Sequence, residues 1–500
     1  MMVKRWGKDT IAVLMTGTAI LAIPSAAFSQ AGTQSAGQPQ NLLPAERPAA
    51  QPRPARPQPA PISSEPVQTD TAQPAADQSE PMTVDTRIET DAQRLLTEQD
   101  DATTQFAWTL AQAGELVDVI RNIGAEGLDP GDYRLPDLNA AIDAGEGAQL
   151  NRTASEIFAW LVEDVRDGRT PMDGRKQWFV VDPDADRYPT QEVMRAALTS
   201  GDISGTLMKL APVHPDYARL RDELAATPLA KDKRRKLIVA NMDRWRWLAR
   251  DLGSQYLMTN VPEYQLRLTV NDQIISTYRT IVGKPGRTAT PQIAELVEGV
   301  VFNPTWTVPQ SIVKGEGLGN KVLNNPSWAR TKGYKATRGA NGWTSVVQQP
   351  GPGNALGLMK LHMPNKHAIF LHDTPSRGLF KQAERALSHG CIRTERAQEL
   401  AITLAILGNA SNTEEGRQEA AAQAVEISAA GKYKIVPIEK EMPVYITYFT
   451  MAQDIDGKLR SFPDIYGRDK AVLDSFEAPR KANRSRVTGE QVIPIVFDGA

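Results

Sequence analysis

Leu371-His372-Asp373-Thr374-Pro375, followed after a short basic run by Ser388-His389-Gly390-Cys391-Ile392-Arg393, is the stretch on which the reading of this chain turns. It holds the only cysteine of 500 residues, with one histidine two positions before it and another nineteen before it. A thiolate nucleophile needs a sulfur whose proton can be taken and a base held by a third group. Cys391 is the candidate nucleophile and His372 the candidate base, so the residues alone predict acyl transfer through a thioester, starting from a thiolate and imidazolium. The second ring nitrogen of His372 needs an acceptor to fix its tautomer, and Asp373 offers either its side chain or its backbone carbonyl. Amides near Gly390 and Cys391 would hold an oxyanion, because glycine lets the main chain approach a ligand closely. His389 is nearer in sequence, but a side chain two positions away on a turn need not face the thiol. It is read as a structural or substrate-contacting residue.

Zinc competes for the same residues, since His362, His367, His372, His389 and Cys391 lie close together. No pair has CxxC or HExxH spacing, so neither a metal nor a cofactor is expected.

Working outward, Leu358 to Leu371 reads as two short strands around Pro364-Asn365 that deliver His372 at a strand end. Ala397 to Leu407 is strongly helical, with Thr394 as its cap, which would put Cys391 just ahead of a helix N-terminus where amide dipoles favour an anion. Upstream, Leu266, Leu268 and Val270 alternate with polar residues, Asn271-Asp272 turns, and Ile274 to Val282 runs back as the second arm of a hairpin. The segment from Gln310 to Pro352 is rich in Gly, Asn and Lys and reads as an irregular cap over a cleft. Val444 to Phe449 and a hairpin at Asp456-Gly457 close the domain, and a polar helix covers Glu414 to Ile427.

Residues 91 to 226 have helical period. Ile157, Leu161 and Val165 form one apolar face, and Leu116, Val117, Ile120 and Ile123 another. His214 reads as a loop or core histidine. The basic run Lys231 to Lys236 reads as a solvated linker, followed by a packing helix around Asn241 to Trp247. From Gly32 to Met82 the chain is rich in Pro, Ala, Gln and Ser and reads as an extended tether. Lys4, Arg5 and Lys8, the apolar run Ile11 to Ile23 and the small residues that follow have the layout of a secretory signal or an uncleaved anchor. Export with one cysteine rules out an internal disulfide and makes a used thiol the sharper reading. A net charge of -2 points away from nucleic acid as a partner.

The run His372 to Arg393 resembles the signature of the L,D-transpeptidases with a YkuD-type catalytic domain. Val282-Gly283-Lys284, Thr290-Pro291, Asn303-Pro304 with Trp306 and Pro309, Pro352 to Gly357 and Tyr445 to Asp469 are similar to the YcbB-like subgroup. Gly127 to Tyr133 and His214 to Leu224 look like that subgroup's scaffold domain.

The resemblance implies an α+β chain: a mainly β YkuD-like catalytic domain with a capping insertion, plus a helical N-terminal scaffold domain. The expected limits are a signal over 1-29, a tether over 30-90, the scaffold over 91-235, the catalytic domain over 236-480 with its cap at 310-352, and a tail over 481-500. By the same resemblance Cys391 attacks the bond after the diamino acid of a peptidoglycan tetrapeptide stem, releases D-alanine and passes the acyl group to a second stem as a 3→3 cross-link. His372 is implied as base, the Asp373 carbonyl as its orienter and Gly390 as an oxyanion amide. Phe370, Ser388, His389, Arg393 and Trp306 are implied at the substrate. Carbapenem acylation and a periplasmic location follow as expectations. Two alternatives stay open, an L,D-carboxypeptidase that hands the thioester to water and a catalytically silent wall-binding protein. The peptidoglycan-binding module usual in the subgroup is not legible between Leu224 and Asn241, so the scaffold, the tether or a wall-synthesis partner protein would have to take over docking.

Overall fold

In a computed structural model of the chain, the structure describes residues 106–180, 187–339, 342–409, 411 and 413–481. The signal and tether segments, and the tail beyond 481, lie outside the described residues.

The N-terminal helices are α1 (Leu110–Asn122), α2 (Leu135–Asp143), α3 (Ala148–Asp167), α4 (Thr190–Ser200), α5 (Ile203–Met208), α6 (Pro215–Ala226) and α7 (Asp232–Arg246). α1 starts at a reciprocal capping box between Thr109 and Gln112. The two apolar faces read from the sequence pack together, with Leu116, Ile120, Ile157, Leu161 and Val165 all fully buried. Gly127 closes the turn after α1 at φ 73°, a conformation that favours glycine.

The basic run is not a linker. Lys233 to Lys236 lie within the first turn and a half of α7, where Arg234 pairs with Glu223 at 2.6 Å. Arg235 donates to the Leu224 and Thr227 carbonyls at the end of α6. A cation at a helix C-terminus bonds the last carbonyls in this way, and charge density along the sequence does not reveal them. The expected limit at 235 and 236 therefore falls inside a helix. α7 then runs into the core, where buried Asp243 accepts from the Arg169 and Thr170 amides at 2.6 and 3.1 Å and from the Trp247 indole at 3.0 Å. His214 caps α6 and stacks on Trp245, 4.1 Å between ring centroids, so it is a packing residue.

The catalytic region contributes β1 (Gln255–Asn260), β2 (Gln265–Val270), β3 (Gln273–Gly283), β4 (Ile293–Leu296), β5 (Gly299–Phe302), β6 (Trp306–Thr307), α8 (Gln310–Val313), α9 (Leu318–Asn324), α10 (Pro326–Thr331), β7 (Tyr334–Arg338) and β8 (Thr344–Gln348). It continues with β9 (Met359–His362), β10 (Leu371–His372), β11 (Ala386–Ser388), β12 (Ile392–Thr394), α11 (Ala397–Leu407), α12 (Glu414–Ala429), β13 (Lys434–Pro437), β14 (Pro443–Thr447), β15 (Met451–Gln453), β16 (Leu459–Ser461) and α13 (Asp469–Glu477). Asn271 and Asp272 both take positive φ, as the two-residue turn between β2 and β3 requires.

The main sheet runs β13-β5-β9-β10-β12-β3-β2-β1-β14-β4, with β11 also pairing β3. Alternation along β1 and β14 divides the two cores. Leu257, Val444 and Ile446 face the catalytic core with α11, whereas Tyr256, Met258 and Tyr445 join the scaffold helices. The scaffold thus packs on the back of the strands whose front encloses the catalytic core.

The described residues of the segment 310–352 form regular elements rather than an irregular loop. Three short helices lie against the sheet β6-β8-β7, and Val308, Val313, Val322, Ala329 and Val346 form a core of their own. Helices this short carry too few turns to show a period, which hid them in the sequence.

Candidate active site

Parallel pairing of β10 with β12 sets Leu371 beside Ile392 and His372 beside Arg393. Leu371 and Ile392 are fully buried in the catalytic core. Side chains alternate along a strand, so His372 and Arg393 share the opposite face, and Phe370 and Cys391, one residue before β10 and β12, border it. β9 runs antiparallel on the far side of β10 and sets Lys360 opposite His372. Met359 and Leu361 point into the core, so Lys360 joins the same face. Its ammonium lies 4.0 Å from the centroid of the Phe370 ring.

His372 is 5% exposed, and its Nδ1 lies 2.5 Å from the Asp373 carbonyl oxygen. That contact makes Nδ1 the protonated nitrogen and leaves the Nε2 lone pair to act as base. The Asp373 carboxylate turns away, accepting from the Leu358 amide at 2.9 Å and from Arg377 at 3.2 Å. Of the two acceptors that Asp373 offers, the ring takes the backbone carbonyl.

Burial pushes the His372 imidazolium down to about 3, with Arg393 and Lys360 adding to the shift and the Asp373 carbonyl opposing it. Burial also pushes the Cys391 thiol up, against the Phe370 and Cys391 amides, Lys360 and Arg393, which all favour the thiolate. Burial thus favours the neutral thiol and the neutral imidazole over the thiolate and imidazolium expected from the sequence. The S–H donates to the Ala368 carbonyl at 3.5 Å, and among the described contacts none joins Cys391 to His372. No motif in the sequence marks the Ala368 carbonyl or Lys360. Met359-Lys360-Leu361-His362 alternates legibly, but only the sheet register sets Lys360 against the thiol.

Cys391 does not precede a helix. β12 intervenes, Thr394 pairs with Thr280 in the sheet, and the cap of α11 is Arg396, which makes no side-chain cap bond. The cationic surroundings of the thiol come from Lys360 and Arg393, since a helix field falls off within its first turn.

Gly390 sits at φ 121°, and a Cβ there would come within 3.2 Å of Ile369. Its N–H donates to Ser388 Oγ at 3.1 Å, and the Ser388 hydroxyl donates to the Cys391 carbonyl at 2.6 Å. The Gly390 amide is thus committed to the loop, and Ser388, 2% exposed, is a loop residue rather than one facing substrate. Among the described residues the Cys391 N–H has no carbonyl or side-chain oxygen acceptor, and it favours the thiolate of its own side chain. His389 is exposed, with Nε2 3.6 Å from Glu316 of the cap. Trp306 packs against the cap core. The site is thus bordered on one side by the cap. Among the described residues no group of three or more His, Cys, Asp or Glu is placed to hold a metal ion.

Residues 254–427 match the family described as the L,D-transpeptidase catalytic domain, YkuD, and residues 100–224 match the Scaffold domain. A curated Haemophilus influenzae protein named "Putative L,D-transpeptidase" is 33% identical over 231 residues, 43% of this chain and 45% of that protein. The match thus spans less than half the length of that relative. A solved Ldtfm-avibactam carbamoyl enzyme is similar over 39% of this chain and 49% of its own, at 13% identity and a TM-score of 0.19. A solved L,D-transpeptidase from Mycobacterium smegmatis is similar over 39% of this chain and 58% of its own, at 11% identity and a TM-score of 0.20.

Proposed function

Because this chain belongs to the L,D-transpeptidase family, carrying its YkuD catalytic domain behind the scaffold domain of the YcbB-like subgroup, we propose that it forms 3→3 cross-links in peptidoglycan by cysteine acyl transfer. The observation that carries the reading is that Cys391 borders the sheet face of His372, with the imidazole tautomer fixed by the Asp373 carbonyl.

In the first half-reaction the Cys391 sulfur turns from the Ala368 carbonyl to the donor stem. Sγ bonds to the carbonyl carbon after the diamino acid, the thiol proton passes to His372 Nε2, and the carbonyl oxygen takes the negative charge. The Cys391 amide is the donor to that oxyanion. Collapse breaks the C–N bond, and D-alanine leaves with the proton from His372. In the second half the side-chain amine of another stem attacks the thioester, gives its proton to His372 and restores the thiol. Lys360 and Arg393 stabilise the thiolate as it develops and recognise stem carboxylates, and the cap encloses the donor. Carbapenems would acylate the same sulfur. The leader-like residues before the described region support an exported, periplasmic protein.

Incubation of the purified protein with tetrapeptide muropeptides, with products resolved by mass, tests the proposal. Cross-linked dimers are expected; tripeptide monomers alone would assign a carboxypeptidase, and unchanged substrate would overturn both. Cys391→Ala should abolish dimer formation.

A further inference from the structure

Thr290 is fully buried and cannot itself touch a substrate, yet it is bonded to the nucleophile's loop. Its hydroxyl donates to the Gly390 carbonyl at 2.7 Å and accepts from the Gly283 N–H at 2.9 Å. Both hydroxyl functions are thus used, and the rotor is locked. The Thr290 backbone is held in turn from the C-terminal segment. Its N–H donates to the Tyr466 hydroxyl at 3.3 Å, that hydroxyl donates to the Gly283 carbonyl at 2.6 Å, and Arg468 Nη2 donates to the Thr290 carbonyl at 2.9 Å. Arg468 is 5% exposed and stacks over the Tyr466 ring at 4.8 Å.

The peptide between Gly390 and Cys391 is trans, as are all those described. In a trans peptide the C=O and N–H point in opposite directions, so a bond that fixes the Gly390 carbonyl also fixes the direction of the Cys391 N–H. The neighbouring polar groups are already committed: the Gly390 N–H and the Cys391 carbonyl to Ser388, and the Ile392 N–H to the Phe370 carbonyl at 3.0 Å. Glycine at φ 121° offers little resistance to rotation of the peptide that follows it. The Thr290 hydroxyl supplies that resistance.

We propose that Thr290 is the positioning residue of the oxyanion-binding amide: by holding the Gly390 carbonyl inward it aims the Cys391 N–H at the oxygen of the reacting carbonyl. The inference rests on the reading of Cys391 as an acyl-transfer nucleophile. It does not depend on peptidoglycan as the acyl donor. It also gives Tyr466 and Arg468, which follow the matched catalytic residues 254–427, a part in the site.

Two reagents separate this role from a merely structural one. p-Nitrophenyl acetate acylates a thiol through an oxyanion: the S–C bond forms, the carbonyl π pair moves to oxygen, the thiol proton goes to His372, and p-nitrophenolate leaves as the C–O bond breaks. Iodoacetamide alkylates the same sulfur by displacing iodide, with no oxyanion formed. In Thr290→Val, which keeps the shape and removes the hydroxyl, acylation should slow by roughly 10- to 100-fold, the lower part of the range for loss of an oxyanion donor. Alkylation should stay within about twofold, and Thr290→Ser should restore acylation. A parallel fall in both rates, or an unchanged acylation rate, would overturn the proposal. If Thr290→Val does not fold, Tyr466→Phe carries the same comparison from one residue further out, with a smaller selective loss of acylation expected and an equal or absent loss overturning it. A wild-type protein that is alkylated but never acylated would instead sink the acyl-transfer reading itself.

Discussion

The His372 ring donates to the carbonyl of its own neighbour Asp373 at 2.5 Å, while the Asp373 carboxylate turns the other way to the Leu358 amide at 2.9 Å. One residue therefore does two separable things: its main chain fixes a tautomer and its side chain fixes a loop.

Asp373→Ala tests that separation. The carbonyl remains, so the pH dependence of thiol acylation should be unchanged, while the Leu358 N–H loses its acceptor. Removing one partner of a buried hydrogen bond costs about 1–3 kcal/mol, which is an upper bound for this partly buried one, and the exposed Arg377 adds little. Denaturant unfolding should show the loss. A displaced pH profile would show that the side chain, not the carbonyl, orients the imidazole.

The imidazolium held down to about 3 places the acid limb of activity far below the ordinary histidine range. His372 should remain a competent base through about pH 5, and a loss of acylation centred near 6.5 would contradict this. The linkage sign follows. The unfolded state takes up a proton as pH falls below about 6.5, which the folded state refuses until about 3, so wild-type stability is lost across that window. His372→Asn removes the penalty. Relative to wild type it should gain stability between pH 7 and pH 4, by at most about 3 kcal/mol at roughly 1.4 kcal/mol per pH unit, read as the difference in unfolding midpoint at the two pH values.

Lys360 is the cation that alternation and register bring to the thiol. Burial holds its own ammonium below the ordinary lysine range, and the nearby sulfur pulls the other way. Lys360→Met keeps the stem over Phe370 and removes the charge. Iodoacetamide alkylation of Cys391 should then slow by roughly threefold or more near pH 8, because fewer thiols ionise. An unchanged rate would remove Lys360 from the site's electrostatics.

The cap has its own small core, centred on the fully buried Val346. Val346→Asp places an unpaired charge there and should unfold the cap while the sheet and scaffold, with separate cores, persist. Near-ultraviolet signals from the cap tryptophans should fall without loss of the main thermal transition. Dimer formation from muropeptides should drop while iodoacetamide still reaches Cys391. Loss of the whole fold would show that the cap is integral to the main sheet.

The sequence by itself determined the elements whose evidence is local. The period of α1 and α3, the turn at Asn271-Asp272 and the His372 to Cys391 spacing are all written in neighbouring residues, and they were enough to predict helices, a hairpin and a candidate thiol nucleophile. Tertiary structure decided whatever depends on partners distant along the chain. It made a helix of the basic run by giving Arg235 two carbonyls to cap, and it ordered the cap through a core assembled from five separated residues. It also replaced the expected helix field at Cys391 with Lys360 and Arg393, because strand register, not sequence distance, sets which charges meet. The protonation state followed the same rule. A cysteine and a histidine in sequence suggest an ion pair, but desolvation acts on the folded surface, and burying both groups favours their neutral forms.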